Sequence, residues 1–160
     1  MRKLLALLTA MFALIIFVAC NNNSGGEEKD RKDGFSNSPK NKEDSLFHEV
    51  MNGHDIAMPR MDRVSNYLIR IQKALDSINK LPEKNLDTEF QQTLIDLQED
   101  LNYAEYGMNT WMDGFKIDSA KGDNEKRIQY LEGEKEKITK VKDAVLSGLQ
   151  RADSLFNKKN

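Results

Sequence analysis

The chain has 160 residues, 24 Lys and Arg against 26 Asp and Glu, a formal charge of −2, one cysteine and two histidines. No basic stretch is dense enough for a nucleic-acid surface, and a lone cysteine excludes a disulfide framework. Scattered serines and two histidines leave no nucleophile–base set with recognisable spacing.

Arg2 and Lys3 open the chain, and Leu4 to Val18 form an apolar run too short to span a bilayer. This is the order of a secretory signal. Phe17-Val18-Ala19-Cys20 resembles a bacterial lipobox, in which cleavage precedes the cysteine and its thiol carries diacylglycerol. Phe17 departs from the leucine usual at the third position before the cysteine. The sequence thus predicts a signal peptide over residues 1–19 and lipidation at Cys20. The mature chain then carries 22 basic and 26 acidic residues, because Arg2 and Lys3 leave with the signal.

Residues 20–43 read as the lipidated cysteine and a disordered tether. Asn21 to Gly26 has nothing to bury, Glu27 to Lys42 is charged and contains Pro39, and Phe35 is its one large apolar residue. Such a chain would hold the next segment roughly 25–30 Å from the lipid.

From residue 44 heptads begin. Phe47, His54, Met61, Leu68 and Leu75 alternate with Val50, Ala57, Val64, Ile71 and Ile78, which predicts a helix over about 44–80. Pro59 lies inside it and is expected to kink it without stopping it, because the heptad phase continues. Leu81-Pro82 breaks it. Asp87 is a candidate N-cap for a helix over about 87–116, with Phe90, Leu97, Ala104 and Trp111 on one seam position and Leu94, Leu101, Met108 and Phe115 on the other. Lys116 to Gly122 is polar. A third helix over about 124–156 carries Leu131, Ile138, Val141, Val145, Leu149, Ala152 and Leu155, with a poorly apolar gap from Glu132 to Lys137 and a Glu136–Lys140 pair on its wet face. No strand pattern occurs. The expected fold is all-α: a three-helix, up-down-up antiparallel bundle over 44–160 with heptad, coiled-coil-like seams.

One cluster is unusual. Outside the signal, all five methionines fall in two windows: Met51, Met58 and Met61 beside His48 and His54, and Met108 and Met112 beside Trp111. An antiparallel hairpin turning near residues 83–84 sets residue n opposite about 167 − n, which brings the windows to one height. Thioether and imidazole ligands suit Cu(I), so His54, Met58, Met61, Met108 and Met112 form a candidate copper site, with Met51 and Trp111 as additional members. A His/Met-ligated haem is the other chemistry. Against both stands plain packing, since methionine fills irregular cores and a core histidine is more often hydrogen-bonded, here by the Asp55 carbonyl or Asp113. His48 lies off the seam. Asp113, Asp118 and Asp123 lack calcium-loop spacing. Glu134 and Glu136 fall on a charged helix face with no sign of a cleft. The expectation is therefore a protein without catalytic activity.

His48-Glu49-Val50-Met51, His54-Asp55 and Met58-Pro59-Arg60-Met61, then Met108-Asn109-Thr110-Trp111-Met112, Phe115-Lys116, Tyr130-Leu131-Glu132 and Lys135-Glu136-Lys137-Ile138, together resemble a family of small Gram-negative lipoproteins often labelled "viral A-type inclusion protein". The resemblance covers roughly residues 44–156. It implies a helical envelope lipoprotein and transfers no catalytic residue. By analogy with lipoproteins generally, Asn21 after Cys20 implies the outer membrane. The expected function is a lipid-anchored interaction or structural module of the cell envelope, with an envelope protein or a second copy as partner. The alternative is a Cu(I)-binding protein.

Overall fold

Each arm of the fold starts at an Asx residue in extended conformation whose side chain accepts from the N–H three residues on, satisfying a donor the helix cannot. Asn41 accepts from Asp44 (2.8 Å), Asp87 from Phe90 (2.9 Å) and Asp123 from Lys126 (3.2 Å). The structure, a computed structural model, describes residues 39–157. The expected signal peptide, Cys20 and all but the end of the tether lie outside those residues. The first arm consists of α1 (Lys42–Ala57), a 3-10 turn (Met58–Arg60) and α2 (Met61–Ile78). The second is α3 (Thr88–Gly114) and the third α4 (Asn124–Phe156). No strand occurs among the described residues, and no helix among them is long and apolar enough to cross a membrane.

The all-α three-helix bundle is as expected, with small shifts at the ends. The first arm starts at Lys42 because Asn41 caps it, so residues 42 and 43 belong to the helix and not to the tether. Past Ile78 the chain unwinds, Pro82 is extended, and a 3-10 turn over Glu83–Asn85 leads to the Asp87 cap. Pro59 interrupts the first arm with a 3-10 turn without ending it. Lacking an N–H for the Asp55 carbonyl, the chain tightens into the 3-10 turn. Met58 N–H still reaches the His54 carbonyl, and Met61 N–H reaches that of Met58. The Arg60 guanidinium folds back to donate to the Ile56 carbonyl.

Cross-links fix the register. Between α2 and α3 they run antiparallel: Ser65 donates to Glu105, Gln98 to Gln72 and Gln91 to Asn79. Residue n of α2 therefore faces 170 − n of α3, three residues from the expected offset. The first and third arms run parallel, through Glu43–Arg127, Glu49–Lys135 and Arg63–Asp153. Helix α4 is the common partner: α1 and α3 both pack chiefly on it, while α2 packs on α3. The fully buried core is built from Phe47, Val50, Ala57, Val64 and Ile71 of the first arm, Leu94, Leu101, Ala104 and Met108 of α3, and Leu131, Ile138, Val145 and Ala152 of α4.

Two seam expectations fail locally. Phe90 is 39 % exposed; the Asp100–Arg151 contact sets the register so that this first turn of α3 lies beyond the end of α4. Tyr67, off the expected seam, is buried, while Leu68 is only partly so, because α2 meets both other arms and buries a wider face than a two-helix seam. The Tyr67 hydroxyl donates to Asp153, which also takes two bonds from Arg63 (2.9 Å each), and its ring stacks on Phe156 at 5.7 Å.

The close approach of α1 to α4 depends on Gly53, where a Cβ would sit 3.1 and 3.2 Å from the two γ-carbons of Ile138. Gly133, on the same helix as Ile138, has open space. Gly53→Leu should therefore lower the unfolding free energy by about 2 kcal/mol through overpacking, whereas Gly133→Ala should raise it by about 0.5–1 kcal/mol; urea unfolding followed by circular dichroism reads both. At the far end, Tyr67 and Arg63 hold the Asp153 carboxyl below its usual 3.8. The stabilisation this gives is present above that value and lost as pH falls through the lowered one. The urea midpoint should thus fall more steeply below pH 4 in the parent chain than in Asp153→Asn.

Candidate functional site

The heptad of α4 extends backward into charge. Arg127, Glu134, Val141, Gly148 and Leu155 recur every seven residues, so the first two positions of a core-facing seam hold an arginine and a glutamate. Both are buried, at 1 % and 4 % exposure. Burying a charge is unfavourable unless it is paired and hydrogen-bonded.

Arg127 is well provided for. Its Nε donates to Glu43 (3.1 Å), its Nη1 donates to the Ser119 carbonyl (2.9 Å), and the guanidinium lies 5.9 Å from the Tyr130 ring centroid. Ser119 is turned toward it by a loop with two positive-φ residues, Ala120 (58°) and Gly122 (101°). The second would be strained with any side chain. Arg127 therefore ties the start of α1, the α3–α4 loop and α4 together. Its Nη2 is buried without an acceptor among the described residues.

Glu134 is less well provided for. Among the described residues its one hydrogen bond comes from Lys137 (2.7 Å), whose side chain is 67 % exposed. That contact raises the Lys137 pKa. Glu134 does not sit on an open charged face, as the sequence suggested; it lines a cleft of about 380 Å³ between α3 and α4 with Tyr103, Tyr106, Gly107, Thr110, Trp111, Gly114 and Lys137. Tyr103 and Tyr106 stand at its rim, 66 % and 70 % exposed. A backward extension of the α4 heptad is the signal that finds Arg127 and Glu134. The tyrosines carry no sequence signal beyond their i,i+3 spacing.

Beside the cleft runs an aromatic column. Trp111 stacks on Phe115 (4.8 Å between centroids), Phe115 on Tyr130 (6.2 Å), and Phe47 tilts against Phe115 at 6.4 Å. Tyr130 in turn accepts the Lys116 N–H at 2.7 Å, closing the end of α3. The Trp111 indole N–H is buried and finds no acceptor among the described residues.

The methionine and histidine windows meet at this end but divide by depth. His54 is half-buried against Trp111, 5.7 Å between ring centroids. Its Nδ1 lies 2.9 Å from the Asp55 carboxylate, which is the partner in place of the Asp55 carbonyl or Asp113. Met108 is fully buried, Met51 and Met61 are partly buried, and Met58 and Met112 are 38 % and 40 % exposed. His48 is half-buried near the start of α1. Gly53 and Gly107 face Ile138 and Val141 of α4, so these small residues serve contact with the third arm. Among the described residues no group of three or more His, Cys, Asp or Glu is arranged to hold a metal ion.

Comparison of the chain with protein-family models, with curated proteins and with solved structures finds no match.

The depth difference has a direct readout. Met108→Ala should cost about 2–5 kcal/mol of stability by leaving a cavity. Met58→Ala and Met112→Ala should each stay within about 0.5 kcal/mol of the parent, as exposed substitutions do. Thermal and urea unfolding of the three variants checks this.

Proposed function

We propose that this protein is a lipid-anchored helical interaction module of the cell envelope, held by Cys20 and the following tether and docking a partner on the α3–α4 face. The observation that carries the docking face is the pair Tyr103 and Tyr106, adjacent on α3 and two-thirds exposed at the rim of the Glu134 cleft. Tyrosine brings a large rigid surface with a polar tip, and it is enriched where proteins meet. The anchor rests on the signal-like residues 2–18 and on Cys20. Asn21 supports the outer membrane as the destination. The helices supply a rigid face and no catalysis.

Replacing Tyr106 by a photo-crosslinking phenylalanine in cells making the full chain should yield a discrete crosslinked species in the membrane fraction. The same replacement at exposed Lys73 on α2 should not. Cys20→Ser should move the chain out of the membrane fraction. A Tyr106 position that crosslinks no better than Lys73 would sink the docking face.

A specific geometry keeps Cu(I) as the second reading. With Nδ1 on Asp55, His54 has its Nε2 without a hydrogen-bond partner among the described residues, the carboxylate-oriented imidazole common at metal centres. Exposed Met58 follows one turn later, and Trp111 covers one face. An anaerobic Cu(I) competition titration in a Cys20→Ser background should then show stoichiometric binding that His54→Ala weakens at least tenfold. Equal affinity in the two proteins would remove His54 from the site.

A further inference from the structure

Glu134 is a buried charge whose one hydrogen bond among the described residues comes from its own helix. A carboxylate that is 4 % exposed ordinarily collects several hydrogen bonds or a buried partner. Here the side chain receives one bond, from a lysine on its own helix that stands mostly in water. Lys137 has many rotamers open to it, so holding it on Glu134 costs side-chain entropy and gives little in return. Glu134 lines a cleft that it shares with Tyr103, Tyr106, Trp111 and Lys137.

We infer that this cleft is a binding site for an organic cation, an alkylammonium or guanidinium group, seated among Tyr103, Tyr106 and Trp111 with its charge on Glu134. Aromatic rings attract cations through their quadrupole, and a carboxylate in the same lining adds a full negative charge. A cation entering there completes the hydrogen bonding of Glu134, and exposed Lys137 swings into solvent. The volume of about 380 Å³ admits the head and stem of such a group. The fold already seats guanidinium on aromatic rings elsewhere: Arg70 lies 4.5 Å from the Phe156 centroid and 5.3 Å from that of Tyr67. An anion is disfavoured by Glu134. A neutral apolar group would offer the carboxylate no donor. This deepens the docking-face reading, on which it rests for its source: the cation arrives as a lysine or arginine side chain of the protein docked on Tyr103 and Tyr106.

Trp111 is the single tryptophan of the chain and lines the cleft, so its fluorescence reports occupancy directly. The full chain is titrated with n-butylguanidinium and n-butylammonium chloride, with the neutral isostere n-butylurea at matched ionic strength, and with a capped arginine-centred pentapeptide. The expected result is a saturable emission change with both cations and none with butylurea. Affinity should drop about tenfold in Glu134→Gln, the loss of one charge-assisted contact. Tyr106→Ala, at an exposed position that leaves the core untouched, should weaken binding in the same direction and carries the test if Glu134→Gln does not fold. Tighter binding of the pentapeptide than of butylguanidinium assigns the source to a protein side chain. Tighter binding of the free cation overturns that source while keeping the site. An unsaturable response, an equal response to butylurea, or unchanged affinity in both variants overturns the site itself. Crosslinking at Tyr106 is independent of this titration: a partner captured there without cation binding would mean docking through the tyrosines alone, and cation binding without a captured partner would mean the reverse.

Discussion

The stripe of α4 residues spaced every seven positions is the contact on which the bundle depends. Leu131, Ile138, Val145 and Ala152 have no exposed surface, and both α1 and α3 reach the core by packing on them. Their small or branched shapes set how near the neighbours come. Gly53 lets α1 lie against Ile138, Gly107 sits on Val141, and Gly148 admits the Leu101 side chain, where a Cβ would stand 2.9 Å from Cδ2. Three glycines on three helices thus allow close contact along the two adjacent core-facing seams of α4. In a three-helix bundle, where each helix has two neighbours, such close approach leaves little void for water.

Most of this is legible in the sequence. Apart from Phe90 and the Tyr67/Leu68 exchange, the heptads of the first two arms, with the Asp87 cap, the Leu81-Pro82 break and the Glu136–Lys140 pair, appear where periodicity and capping place them. That the first arm continues past Pro59 follows from the heptad phase running through it. What periodicity does not encode is the neighbour. The expected hairpin pairs α1 with α3, but α1 rests mainly on α4, so the small residues at the Met/His level serve that contact. Nor does a hydropathy pattern separate a charged residue on the surface from one at a seam position. Glu134 and Arg127 escape it because their chemistry says water while their spacing says core.

These two buried charges share a seam and differ in support. Arg127 draws on Glu43 from one arm, a loop carbonyl from another segment and a tyrosine ring from its own helix, so it joins elements that the apolar core alone would leave free to slide. Glu134, among the described residues, draws only on its own helix. A charge bound across elements fixes a register, which is the best-attested role of polar groups at seam positions. A charge bound within one helix fixes nothing between elements, and its retention beside exposed aromatics calls for another explanation.

An odd number of arms has a consequence for reach. The chain enters the bundle at Asn41, level with the start of α4, and leaves at Phe156, at its other end. A helix of 33 residues separates these points by about 50 Å at 1.5 Å per residue. Glu134 lies near the entry end, about 15 Å along that axis from where α4 begins. A bundle with two or four arms would return its last residue to the side it came from. Here the tyrosine-rimmed cleft lies close to the end at which the chain enters, and the last turn, where Tyr67 stacks on Phe156, lies at the opposite end.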